Sequence, residues 1–140
     1  MERIIGRYTG QTKGTLVIAF GAMHGNEPAG VKALEAMFAA LESEPSKNPG
    51  FHFCGRLLGL IGNIKAYKKG VRFIDKDLNR QWTLDNVVLA KKTPLEKLAP
   101  ELQELKTLLE LVEQEIESYQ PDRVVVLDLH TTTAHGGIFT

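Results

Sequence analysis

Hydrophobic residues along the chain fall into three continuous runs and two helical stripes. Thr15-Leu-Val-Ile-Ala-Phe20 is apolar at nearly every position and stops at Gly21. A run without alternation reads as a strand covered on both faces, the pattern of a parallel sheet. Phe51 to Ile61 reads as a second buried strand, ending in Leu57, Leu58, Leu60 and Ile61, with Gly55 and Gly59 blurring its limits. Arg123-Val-Val-Val-Leu-Asp-Leu129 reads as a third. Between the first two, Pro28 to about Glu44 predicts a helix. Pro28 suits the first helical position, where its missing N–H had no partner to lose. Val31, Leu34, Met37, Phe38 and Leu41 recur at spacings of three and four and make one apolar face. Pro45-Ser-Lys-Asn-Pro-Gly50 predicts a break. Thr93 to Tyr119 is the strongest helical pattern. Its stripe is Leu102, Leu105, Leu109, Val112 and Ile116, and Glu101, Glu104, Glu110, Glu113 and Glu117 are expected on the solvated side. Pro100 starts or kinks this helix, and Gln120-Pro-Asp122 ends it. Gly62 to Gln81 has no clean period and is rich in Lys, Arg, Asp and Asn, so it reads as a long structured loop of the functional kind.

Strand, helix, strand, loop, helix, strand in that order predicts an α/β fold: a mostly parallel (mixed) sheet with flanking helices. The 140 residues suffice for one domain. The chain stops ten residues after His130, at the end of the third strand, where an open sheet of this class would continue with another crossover. The expectation is therefore the N-terminal part of something larger. Charge and composition narrow the partners. Seventeen basic residues balance seventeen acidic ones, which argues against nucleic acid as the main partner. No apolar run approaches the ~18 residues of a membrane helix. Met1 to Gly10 carries Glu2, Arg3 and Arg7 among Ile4 and Ile5 and shows no secretory pattern. A single cysteine, Cys54, forms no internal disulfide and leans toward a reducing, cytoplasmic setting.

In open parallel sheets ligands bind beyond the carboxyl ends of the strands. Three polar clusters fall there: His24-Gly-Asn-Glu27, Arg72-Phe-Ile-Asp-Lys-Asp-Leu-Asn-Arg80 and Asp128-Leu-His130. A histidine and a carboxylate three residues apart on a turn converge on one ion, and Gly25 permits that turn. Imidazole nitrogen and carboxylate oxygen suit Zn²⁺, and His130 is the natural third ligand because its strand end should lie beside the Gly21 strand end. Two imidazoles and one carboxylate with an open position describe a catalytic zinc site better than a structural one. Asp128, two residues before His130, faces the same side of the strand and can orient a ligand imidazole. Arg72, Arg80 and Asn79 suit an anionic, carboxylate-bearing small molecule. The plainer reading is that each arginine pairs with Asp75, Asp77 or Asp85 on the surface.

These segments, together with Gly62-Asn63 and Thr131, resemble the succinylglutamate desuccinylase/aspartoacylase family of zinc carboxypeptidase-like hydrolases. The resemblance spans about Thr15 to Thr133. It implies a zinc-hydrolase catalytic domain, of which residues 1–140 are the N-terminal portion. It also implies one zinc per chain held by His24, Glu27 and His130. Arg72 would polarise the scissile amide carbonyl, Asn79 and Arg80 would grip a substrate carboxylate, and Asp77 and Asp128 would support the ligands. The implied reaction is removal of the acyl group from an N-acyl amino acid such as N-succinylglutamate or N-acetylaspartate.

The sequence departs from the family in one respect. The family's glutamate base comes from a segment after the third ligand, whereas no Asp or Glu follows Asp128 here. The resemblance also implies a later β-rich domain, expected to be missing from these 140 residues. His135 is a weak substitute for the base. The alternatives are a non-catalytic zinc- or carboxylate-binding module and a zinc carboxypeptidase. A nucleotide-binding domain fits poorly, because Gly21-Ala-Met-His-Gly25 lacks both glycine-rich phosphate signatures and Glu27 would repel phosphate. Oligomeric state is not readable from the sequence.

Overall fold

A computed structural model describes residues 2–131. Four strands form one sheet: β1 (Ile4–Thr9), β2 (Thr12–Gly21), β3 (Cys54–Ile61) and β4 (Val124–Leu129), in spatial order β1-β3-β2-β4. β2 runs parallel to both β3 and β4, and β1 is antiparallel to β3. The sheet is therefore mixed and mostly parallel, as the run pattern predicted.

Helix α1 (Ala29–Lys47) covers one face of the sheet and α4 (Pro100–Tyr119) the other. Alternate residues of β2 divide between the two cores. Leu16, Ile18 and Phe20 pack toward Leu105 and Leu108 of α4, and Val17 and Ala19 toward Leu34 and Phe38 of α1. This is the period-two geometry that makes an inner parallel strand apolar throughout. The Phe38 ring rests on the paired glycines Gly6 and Gly59; a β-carbon at either would sit about 2.5–2.6 Å from the ring. Gly59 is thus a seat for an aromatic ring rather than a break in β3.

Several expectations from the sequence need correction. The sequence pattern does not predict β1, which pairs with β3 through a register shift between Ile4 and Gly6. Helix α1 runs through Pro45 to Lys47, since a proline in an exposed last turn removes only one ladder bond. Met37 on its expected apolar face is half exposed. The second helix pattern is split: a 3₁₀ turn covers Leu95–Lys97, and Pro100 opens α4 rather than kinking it. β4 is not covered on both faces. It lies at the edge of the sheet, and Val124, Val126 and Leu127 are exposed.

The glutamates of α4 differ most from expectation. Glu101 and Glu104 are buried rather than solvated, and so is Glu115. Glu104 pairs with Arg3, which also donates to the carbonyls of Ile61 and Gly62. Glu115 accepts from Arg7 at 2.8 Å and from Arg56 at 2.8 Å. Those arginines lie on or beside β1 and β3, so the partners that make burial tolerable are about sixty to one hundred residues away in sequence.

The region expected to be one long loop contains short elements. Helix α2 (Ile64–Lys69) is capped by the Asn63 side chain, which accepts from the Ala66 N–H, and ends at Gly70 in the left-handed region with φ 64°. A 3₁₀ turn covers Leu78–Arg80, with Leu78 fully buried, and helix α3 (Leu84–Lys92) follows, capped by Thr83. Asn63 and Gly70 form a start-and-stop pair that was present in the sequence as a signal. Among the described residues, no helix is long and apolar enough to cross a membrane.

Candidate metal centre

The parallel pairing of β2 and β4 aligns Gly21 with Leu129, so the chain leaves both strands at the same level. Ala22, fully buried with φ 57°, turns the chain off β2, and its carbonyl accepts the Asn63 N–H at 2.9 Å. A left-handed alanine costs about 1 kcal/mol, and tertiary packing holds it there. His24 follows on this turn, and Glu27 precedes α1. His130 follows Leu129 directly. Gly25 is needed for space, not for an unusual φ: a β-carbon there would sit 2.2 Å from the backbone of Ala66 in α2. Its N–H donates to the Arg72 carbonyl at 3.0 Å, joining the first two polar clusters.

Glu27 sits between the two imidazoles. His24 Nδ1 lies 3.0 Å from Glu27 Oε1, and His130 Nδ1 lies 3.0 Å from Glu27 Oε2. The two rings are 4.9 Å apart centre to centre. One donor atom from each of His24, Glu27 and His130 can be chosen so that all lie within 4.8 Å of one another. The opposite ring nitrogens face carboxylates: His24 Nε2 is 3.0 Å from Asp77 Oδ1, and His130 Nε2 is 2.6 Å from Asp128 Oδ2. A carboxylate on Nε2 favours a proton there, so an ion that replaces the Nδ1 contacts with Glu27 would meet Nδ1 as a lone-pair donor, the usual arrangement of a metal-ligating imidazole. Both histidines thus turn their Nδ1 atoms toward Glu27.

Burial works against the charge on Glu27, but the Thr131 N–H, His130 and His24 outweigh it and hold the carboxyl below its ordinary range. Asp77 is lowered in the same way: burial opposes, while His24, the Asn79 N–H and the Arg72 charge prevail. His130 is raised: burial opposes, while Glu27 and Asp128 favour its protonated form.

The long polar cluster supplies the rest of the wall. An Arg72 guanidinium nitrogen is 3.0 Å from His24 Nε2, and the same group approaches Asp77 at 3.5 Å and Glu27 at 3.7 Å. A single N–H on Nε2 serves Asp77, so Arg72 is held mainly by the two carboxylates. Asp77 also accepts the Asn79 N–H at 2.9 Å, which caps the Leu78–Arg80 turn. Asn79 Nδ2 lies 3.1 Å from His130 Nε2. Arg80 is exposed and, among the described residues, has no carboxylate partner. Surface pairing with Asp75 or Asp85 therefore does not occur; Arg72 alone takes Asp77.

Together these groups line an open cavity of about 570 Å³ bounded by His24, Asn26, Glu27, Arg72, Asp77, Asn79, Arg80, His130 and Thr131. Of the site residues expected from the sequence, His24, Glu27, Arg72, Asp77, Asn79, Arg80 and His130 lie in this wall, and Asp128 lies directly behind it. The Thr131 N–H, which donates to Glu27 Oε2 at 3.0 Å, was missed, because a backbone donor leaves no mark in a sequence. His135, considered as a base, lies outside the described residues.

Residues 13–139 match the succinylglutamate desuccinylase/aspartoacylase catalytic domain. The chain belongs to this family. It is 32% identical over 126 residues to the aspartoacylase of Danio rerio, covering 86% of this chain and 35% of that protein. It is 30% identical over 125 residues to a probable aspartoacylase from Nostoc sp., covering 87% and 37%. The crystal structure of the succinylglutamate desuccinylase from Vibrio parahaemolyticus superposes with a TM-score of 0.60 at 25% identity, covering 89% of this chain and 37% of that one. The chain thus spans about a third of the length of the relatives it matches.

Proposed function

We propose that this chain carries the zinc-binding and carboxylate-recognising part of a hydrolase that removes the acyl group from an N-acyl amino acid. The carrying observation is that His24, Glu27 and His130 converge with both Nδ1 atoms turned inward and both Nε2 atoms backed by carboxylates. Two neutral imidazoles and one carboxylate fit Zn²⁺ in donor type and number, and leave a coordination position open. Zinc in such a set supplies Lewis acidity and makes a water acidic enough to ionise near neutral pH.

The remaining groups bind and orient. Arg72 reaches across the ligands and aims positive charge where an amide carbonyl would gain negative charge. Arg80 and Asn79 form a donor pair on the same rim, and Arg80 holds a bidentate fork with no carboxylate among the described residues to occupy it. Asp77 and Asp128 keep the imidazoles in one orientation.

Glu27, Asp77 and Asp128 each engage a histidine of the candidate centre. Metal analysis tests the core of the reading: purified chain should hold about one zinc, lost in His24→Ala and in His130→Ala. Metal content unaltered in both variants overturns it.

A further inference from the structure

The three buried glutamates of α4 are not equivalent. Glu104 and Glu115 face arginines, whereas Glu101 is held by four uncharged N–H groups. Its Oε1 accepts from the Ile74 N–H at 2.7 Å and from Asn63 Nδ2 at 3.1 Å. Its Oε2 accepts from the N–H groups of Asp75 at 3.1 Å and Lys76 at 3.2 Å. Glu101 is 2% exposed and stands in the first turn of α4. The segment it grips lies between Arg72 and Asp77. Three consecutive backbone donors bound to one carboxylate leave little freedom to that stretch.

A second connection runs from Glu101 to the histidine turn. Asn63, fully buried, donates its side chain to Glu101, accepts the Ala66 N–H, and gives its own N–H to the carbonyl of Ala22, two residues before His24. The gripped loop returns to the same turn where the Gly25 N–H donates to Arg72. We infer that Glu101 is a positioning residue: its buried carboxylate sets the Arg72–Arg80 loop against the His24 turn, and so fixes where Arg72, Asn79 and Arg80 stand relative to the metal ligands. The part that concerns anion recognition rests on the function proposed above; the seating of the loop does not.

Because His24, Glu27 and His130 come from β2, α1 and β4 ends rather than from this loop, loss of Glu101 should separate two properties. Glu101→Gln keeps the shape but turns an NH₂ toward backbone donors. Glu115→Gln, on the same helix and equally buried, is the control for general destabilisation. In the metal-free chain, amide hydrogen exchange at Ile74, Asp75, Lys76 and, remotely, Gly25 should quicken in Glu101→Gln by about tenfold or more beyond any general rise that Glu115→Gln shows at the same amides. Titrated with Zn²⁺, Glu101→Gln should bind within about threefold of the unaltered chain, while the zinc-loaded form should bind N-acetylaspartate about tenfold more weakly. Glu101→Asp, which keeps the charge and shortens the reach, should fall between the two, and decides by the same readouts if Glu101→Gln does not fold. Unaltered exchange at Gly25, or zinc and N-acetylaspartate affinity falling in parallel, overturns the inference. Failure of the unaltered chain to bind zinc overturns the function proposed above, and the exchange measurement then still decides the role of Glu101.

Discussion

Glu115 offers a direct measure of what holds α4 to the sheet. Replacing it by glutamine leaves Arg7 and Arg56 without their shared counter-charge. Both carboxylate oxygens are engaged: Oε2 accepts from Arg7 at 2.8 Å and Oε1 from Arg56 at 2.8 Å, and the carboxylate is 4% exposed. Breaking a buried pair typically costs ~3–5 kcal/mol. The Arg7 side chain is 43% exposed and returns readily to water, so the lower end applies, about 3 kcal/mol at pH 7. Burial opposes the charge on Glu115, but Arg7 and Arg56 outweigh it and hold the carboxyl below its ordinary value near 4.5. A carboxyl lowered by folding adds stability that is fully present above the unfolded value and is lost as pH falls through the folded one. The penalty of Glu115→Gln should therefore be constant from pH 7 to about 5 and shrink below about 4.5. Urea unfolding of both forms across that range measures it. A difference of the same size at pH 3 as at pH 7, with equal denaturant slopes, would refute the assignment of this stability to the Arg7–Glu115–Arg56 cluster.

Other outcomes follow from the packing and the cavity. Leu105→Ala empties a fully buried position between α4 and β2 and should cost ~2–5 kcal/mol in the same assay, without altering zinc stoichiometry. Gly25→Ala drives a methyl into the α2 backbone and should cost ~1–3 kcal/mol while weakening zinc binding, because the displaced turn carries His24; calorimetric zinc titration and thermal unfolding check both halves. Arg80→Leu should leave zinc affinity intact and weaken N-acetylaspartate binding to the zinc-loaded chain about tenfold or more, the loss of one charge-assisted fork; equal affinity would remove Arg80 from carboxylate recognition.

Much of this molecule was legible in one dimension. The apolar run of β2 and the stripes of α1 and α4 follow from periodicity, because burial on one face or on both imposes a spacing on the residues themselves. The metal candidates were legible for a related reason. Strand ends in a parallel sheet lie at one edge, so polar residues just past two apolar runs must be near neighbours if those runs pair. Asn63, Gly70 and Thr83 carried local signals for α2 and α3 that composition masked. Other features belong to three dimensions only. Which imidazole nitrogen faces inward depends on Asp77 and Asp128 standing behind the rings. Whether a glutamate on α4 meets water or the interior depends on arginines of β1 and β3. Glu101 looked like one more acid on a solvated helix face, and it is buried because the backbone of residues 74–76 folds over it. Local spacing records which side of an element is apolar; it does not record which distant group will neutralise or satisfy a polar one, since that partner is chosen by the folded path of the chain.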